Sequence, residues 1–324
     1  MLRAAAVVGA LVCAAQMSAC ASPGGPAPGS ASSGSPSHSV ARSATGGPAS
    51  APLPAGAGDP ARVPAISGHA AALGRELVAA ERAVRAPGAG PSRLLAAART
   101  AQVAYGRLGQ HPGWDRTVLR QVPAALHDTV VANLRARREL RAIPSTAPKG
   151  LLPAWRIQAA APAGKLMTWY HAAGSRFGIG WQYLAAVNLV ETTFGKIHGL
   201  SAVGARGPMQ FMPATWKEYG AGGNVNDPHD AIFGAARFLA ADGMAHGEVA
   251  HALYGYNPTM RYVNAVKAIA HVLTADPRSF AGYYRWSVYY PTSSGVLLLP
   301  PGFDHRHRTS AAAYARAHPE RVFR

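Results

Sequence analysis

Three short stretches carry the residue types from which a polar site is built. Glu191 is a lone carboxylate at the end of the apolar run Trp181 to Val190, followed by Thr192, Thr193, Phe194 and Gly195. Downstream, G-A-R-G-P-M-Q-F-M-P-A-T-W spans Gly204 to Trp216, where small residues allow close backbone approach and Met209, Gln210 and Phe211 stand side by side. Further on come Gly255, Tyr256 and Asn257. A carboxylic acid that donates a proton near neutral pH needs a pKa raised by burial, by a like charge or by an unfavourable dipole. Val187, Val190, Phe194 and Phe211 are available to desolvate Glu191, and the last turn of a helix presents the negative end of its dipole. On these residues alone, a cleft with one general acid stands beside the plainer reading of an exposed glutamate at a helix end.

The elements that position these residues follow from spacing. Tyr183, Val187, Val190 and Phe194 recur at helical intervals, which predicts a helix with one buried face, Glu191 near its end and Gly195 closing it. Asp227-Pro228-His229-Asp230 reads as a helix start, with Ile232, Ala235, Ala236 and Leu239 inward and Gly243 at the end. Asn257-Pro258 reads as a second start, for a helix with Tyr262, Val263, Val266, Ile269 and Leu273 inside and Asp276-Pro277 after it. The run from Tyr283 to Leu299, aromatic and β-branched around Thr292-Ser293-Ser294-Gly295, predicts a hairpin. The basic residues 304–324 are expected to be loosely attached.

Upstream, His69 to Ile143 has helical texture. Two helices are expected on either side of Ala86 to Pro91, and a third through Val118, Val122, Leu126, Val130 and Leu134. Residues 61–145 thus predict a hairpin or small bundle of helices, joined by a proline-rich hinge from Pro144 to Pro162 to a domain over 146–278, with the hairpin extension over 279–303. Residues 21–60 are Ser, Pro, Gly and Ala, a composition expected to form a disordered tether; a flexible chain of that length reaches on the order of 35 Å. Residues 1–20 have the layout of an export signal: Arg3, a short apolar run to Ala15, then Met17-Ser18-Ala19-Cys20. That run is too short to span a bilayer.

Of the two cysteines, Cys13 falls in the leader, so Cys20 is the one thiol left after processing and no internal disulfide or cysteine-based metal site is expected. The formal charge of +17 is compatible with nucleic acid, an anionic membrane or an anionic polymer. Export, together with the lack of interleaved aromatic and basic residues in the core, argues against nucleic acid.

Met17-Ser18-Ala19-Cys20 resembles the lipobox of bacterial lipoproteins, with Met17 where leucine is usual, which implies lipidation of Cys20 and a membrane anchor on the outer face of the cytoplasmic membrane. E-T-T-F-G from Glu191, G-P-M-Q-F-M-P-A-T-W from Gly207 and G-Y-N from Gly255, followed by Tyr262-Val263, resemble in order and spacing three motifs of the lytic murein transglycosylases of lysozyme-like fold. The likeness is to secreted actinobacterial and membrane-bound B-type members and extends over about Trp155 to Leu273. It implies a mainly α protein: a lysozyme-like domain preceded by a small helical region and followed by a short β-hairpin. Carried over by position, the acid/base falls on Glu191 and substrate contacts fall on Thr192, Met209, Gln210, Phe211, Tyr256 and Asn257, with Tyr256 and Asn257 orienting the glutamate and the substrate N-acetyl group.

The implied reaction cuts the β-1,4 bond between N-acetylmuramic acid and N-acetylglucosamine in peptidoglycan and leaves a 1,6-anhydro end. Ordinary glycosidases use two carboxylates, about 5 Å or about 6.5–9.5 Å apart. Here Asp227 and Asp230 read as caps, Glu218 as a polar helix residue and Asp242 as a helix end. One glutamate acting as acid and then base fits this shortage; a lysozyme-type hydrolase and a non-catalytic wall-binding module are the alternatives. No cofactor and no metal are expected: His246 and His251 are five apart, off the spacing of a zinc helix, and Gly220 to Asn226 lacks the acidic calcium loop of some relatives. A monomer attracted by its charge to an anionic wall completes the expectation.

Overall fold

The computed structural model describes residues 53–144, 147 and 149–323. The leader, Cys20 and most of the expected tether lie outside the described residues. Four helices come first: α1 (Ala70–Arg85), α2 (Pro91–Gln110), α3 (Asp115–Leu119) and α4 (Ala124–Arg141). The third expected helix is divided in two because Pro123, lacking an amide hydrogen, serves as the cap before α4 instead of lying inside a helix. Strands β1 (Leu151–Leu152) and β2 (Arg156–Ile157) lead into α5 (Ala163–Phe177) and α6 (Trp181–Thr192). After β3 (Ile197–His198) come α7 (Pro213–Tyr219), α8 (Pro228–Ala241), α9 (Val249–Tyr256), α10 (Met260–Ala275) and α11 (Ser279–Tyr284). Strands β4 (Val288–Thr292), β5 (Gly295–Leu299) and β6 (Thr309–Ser310), then α12 (Ala311–Ala317) and β7 (Val322–Phe323), close the chain. The mostly helical architecture with small C-terminal strands is the lysozyme-like arrangement expected. Among the described residues no helix is long and apolar enough to cross a membrane.

One apolar core runs without interruption from Leu73 on α1 to Trp286 after α11. The expected boundary near residue 145 is therefore not a break in packing: α4 lies along α10, and α10 lies along α6. Polar bonds reinforce this contact. Glu139 on α4 accepts from Asn264 Nδ2 at 3.1 Å and Arg261 at 3.4 Å on α10, while Arg85 on α1 donates to Asp276 at 2.9 Å and Ser279 at 2.8 Å. Within the stretch expected as a hinge, residues 151–157 are likewise built in. β1 pairs with β6, β2 pairs with β3, and Leu152, Trp155 and Ile157 are buried.

The hairpin begins later than expected, because Ser279–Tyr284 is a helix. Its two strands alternate between two cores. Val288, Tyr290, Leu297 and Leu299 face Trp155, Ile157 and Ile197, whereas Tyr289, Val296 and Leu298 face Val103 of α2. With both faces covered, the hairpin joins the N-terminal helices to the rest of the fold. The tail, expected to be loose, is docked at two points: Thr309 pairs with Leu152, and Phe323 with Val296.

Residues 53–60 also depart from expectation. Instead of continuing the tether they form turns against the body, with Ala57 buried. The cause is Arg99 on α2, which has no solvent exposure. Its guanidinium donates to the carbonyl oxygens of Ala57 (2.7 Å), Gly56 (3.3 Å), Asp59 and Arg62, and its Nε donates to Ser287 Oγ at 3.1 Å. Val63 N–H adds a bond to Glu320 O at 2.9 Å. Replacing Arg99 with Met removes the donor to the buried Ala57 carbonyl and to the part-buried carbonyls beside it, so a loss on the order of 2–4 kcal/mol is expected. Limited proteolysis should then cut within 53–66 before the rest of the chain; an unchanged melting temperature with this segment still protected would contradict the account.

Candidate active site

The site is built on α6. From Leu184 to Thr192 every residue of this helix is buried, so it has no solvent face in its second half, in contrast to the single buried stripe expected. Glu191, in its last turn, is 2 % exposed. Burial raises its pKa from the usual 4.5 to about 8, and a hydrogen bond from Tyr262 acts in the opposite direction. No carboxylate among the described residues contributes to that shift. Desolvation, not like-charge repulsion, keeps this acid protonated near neutral pH.

The bond from Tyr262 is the piece that spacing alone placed only in the apolar stripe of α10. Its hydroxyl donates to Glu191 Oε1 at 2.8 Å. Glu191 Oε2 is buried and has no partner among the described residues. The two oxygens are thereby distinguished: one is held by a phenol hydroxyl, and the other is not. A tyrosine in a stripe of valine, isoleucine and leucine was the available signal, because a buried phenol hydroxyl needs a partner.

The chain leaves α6 through three successive left-handed residues: Thr193 (φ 53°), Phe194 (φ 65°) and Gly195 (φ 81°). The turn therefore begins two residues before the glycine expected to make it. A β-branched residue in this region is strained, and the surroundings hold it. Thr193 N–H and Phe194 N–H bond back to Leu189 O and Asn188 O, both at 3.0 Å. Phe194 packs edge-on against Phe280, ring centroids 5.2 Å apart. Lys196 fastens the exit to α11: its ammonium donates to Tyr284 O at 2.6 Å and Trp286 O at 2.5 Å. Burial, then the nearby Arg285, pushes its pKa down to about 7.

Thr192 is fully buried and ties α6 to the second motif. Its hydroxyl donates to Pro208 O at 2.5 Å and accepts from Gly195 N–H at 2.9 Å. Asn188, one turn earlier, donates to the same Pro208 O at 2.8 Å and accepts from Tyr170 at 2.5 Å. The turn they grip is closed by a bridge between Arg206 and Phe211. Gly207 (φ 72°) is required there, since a Cβ would lie 1.8 Å from Val225 O. Met209 points its side chain into the core and offers its carbonyl to Tyr256 OH at 2.6 Å. Gln210 is left-handed (φ 52°), with its amide donating to Gly207 O at 2.9 Å. Phe211 packs edge-on against Trp216 at 5.1 Å.

Tyr256 thus holds the turn and does not bond to the glutamate. Its ring lies parallel to that of Tyr262, with centroids 6.5 Å apart, and Glu191, after burial, raises its pKa. Asn257 ends α9 instead of capping α10; Thr259 takes that role by accepting from Arg261 N–H at 3.3 Å. Asn257 Nδ2 and Thr193 Oγ1 are buried without partners among the described residues, as is Glu191 Oε2. Of the expected residues, the fold joins Glu191, Thr192, Met209, Gln210, Phe211 and Tyr256 through one set of bonds and ring contacts, and leaves Asn257 with an unused donor.

Asp227, His229 and Asp230 bring one potential metal ligand each within 4.8 Å of one another. Helix capping accounts for this group: Asp227 accepts from Asp230 N–H at 3.1 Å, and Asp230 accepts from Asn224 N–H at 2.9 Å and contacts His229 at 3.0 Å. His246 lies in a separate 3₁₀ turn from the α9 residue His251.

No solved structure matches the chain. Residues 169–272, which contain all three motifs together with Glu191 and Tyr262, match the family described as Transglycosylase SLT domain, a likeness that supports a lytic transglycosylase acting on peptidoglycan.

Proposed function

We propose that the protein cleaves the β-1,4 bond between N-acetylmuramic acid and N-acetylglucosamine in peptidoglycan and closes a 1,6-anhydro ring on the muramic residue. The observation that carries this reading is a single desolvated carboxyl with one oxygen held by Tyr262 and the other unpartnered. Glu191 Oε2–H donates its proton to the glycosidic oxygen as the C1–O bond breaks, and the N-acetyl carbonyl oxygen of the muramic residue bonds to C1. The C6 hydroxyl of that sugar then attacks C1, displacing the carbonyl oxygen, and its proton returns to Glu191. No water is consumed, so no second carboxylate is needed to activate one. Asn257 Nδ2, buried and without a partner among the described residues, suits the substrate's carbonyl groups. Thr192, Met209 and Tyr256 act through the bonds that fix this turn. The order and spacing of the three motifs support a reading as a relative of secreted actinobacterial and B-type transglycosylases, and the lipobox-like Met17-Ser18-Ala19-Cys20 supports export and anchoring through Cys20.

Glu191→Gln is expected to lower turnover on purified peptidoglycan by about 10²–10⁴-fold. Mass spectrometry of parent digests should show new ends lighter by one water than hydrolysed reducing ends; hydrolysed ends would favour the lysozyme-type alternative. Tyr262→Phe removes the bond that favours the carboxylate, so the pKa of Glu191 rises further above about 8. The alkaline limb of kcat/KM should move to higher pH while turnover falls on the order of tenfold. A limb that stays in place or moves to lower pH would show that Tyr262 does not act on the acid.

A further inference from the structure

A cavity of about 260 Å³ lies beside the loop that connects β3 to the Gly207–Phe211 turn. Its walls include Leu151, Trp155, Leu200, Ser201, Tyr290 and Arg308. The Trp155 and Tyr290 rings meet edge-on, 5.5 Å apart, as an apolar floor. Six large apolar residues are left exposed among the described residues, and three of them, Leu151, Leu200 and Val203, belong to this rim or its loop. Such a concentration marks a contact surface rather than scattered exposure. Arg308 is exposed, and among the described residues it forms no ion pair and no carboxylate lines the cavity.

The cavity is joined to the active site through Ser201. Its amide donates to Ala205 O at 3.1 Å, and its hydroxyl accepts from Ala205 N–H at 2.9 Å. The next residue, Arg206, forms the bridge to Phe211 that closes the turn carrying Gln210. Trp155 Nε1 holds the outer end of the loop by donating to Leu200 O at 3.0 Å.

Resting on the proposed cleavage of peptidoglycan, we infer that this cavity binds the stem peptide that branches from the muramic sugar. That peptide combines small aliphatic side chains with free carboxylates. The apolar floor and rim suit the first feature, and the unpaired guanidinium of Arg308 suits the second. The wall polymer is therefore read at two places, its sugar at Glu191 and its peptide at this cavity.

The test uses the full chain, a synthetic stem tetrapeptide free of sugar, and the same peptide with its carboxylates amidated. Calorimetry should show saturable binding of the acidic peptide, weakened at least roughly fivefold by Arg308→Ala, by Leu200→Asp and by amidation. Both side chains are exposed, and Leu200 is bonded to Trp155 only through its carbonyl, so folding is retained in both variants. The ratio of cleavage of peptide-bearing to peptide-free glycan strands should fall by a similar factor. No binding to the parent, or binding and ratio indifferent to both variants and to amidation, overturns the inference. A parent that binds the acidic peptide in this way yet cleaves neither strand would leave the inference standing and overturn the proposed reaction instead.

Discussion

The structure depends on removing one carboxyl group from water. An ionised carboxylate enclosed by hydrocarbon and without a cationic partner is costly enough that the group takes a proton instead. Glu191 is in that position because the second half of α6 is covered on every side, by α5, α8 and α10. The feature that makes the residue an acid is thus the depth of its helix in the fold, more than any single neighbour. Tyr262 then moderates the effect and selects which oxygen remains available.

Burial alone does not orient an acid, and the rest of the local structure does that work. The left-handed exit through Thr193, Phe194 and Gly195 reverses the chain within three residues and brings Thr192 against the Gly207–Gln210 turn. Pro208 O receives two donors from α6, and Met209 O receives one from Tyr256 on α9. Strain in the exit is therefore balanced by bonds that also define the opposite wall of the site. The N-terminal helices and the C-terminal hairpin belong to the same arrangement. α4 packs along the helix bearing Tyr262, and Lys196 links the α6 exit to the carbonyls just before the hairpin.

Much of this was legible in the sequence where a residue has one dominant physical demand. Pro228 after Asp227 could only begin a helix, and the stripe from Tyr262 to Leu273 could only face a core. Glu191 and the Gly207 turn stand out because they belong to three motifs that resemble those of one family in order and spacing. What stayed hidden depends on distant partners. Met209 and Tyr256 are carried over as substrate contacts by the resemblance of their motifs; that the carbonyl of one and the hydroxyl of the other bond to each other depends on α9 packing on the turn. The ordered turns of residues 53–60 depend on Arg99, whose side chain collects carbonyls from a segment of composition otherwise typical of linkers. The docked tail uses strands of two residues, too short to show any period.

The protonation state of Glu191 near neutral pH tests the account at its root. Infrared difference spectroscopy between the parent and Glu191→Gln isolates the absorption of this one side chain. The account predicts a protonated carboxyl band at pH 6.5 that gives way to carboxylate as the pH rises through about 8. A carboxylate band already complete at pH 6.5 would contradict it.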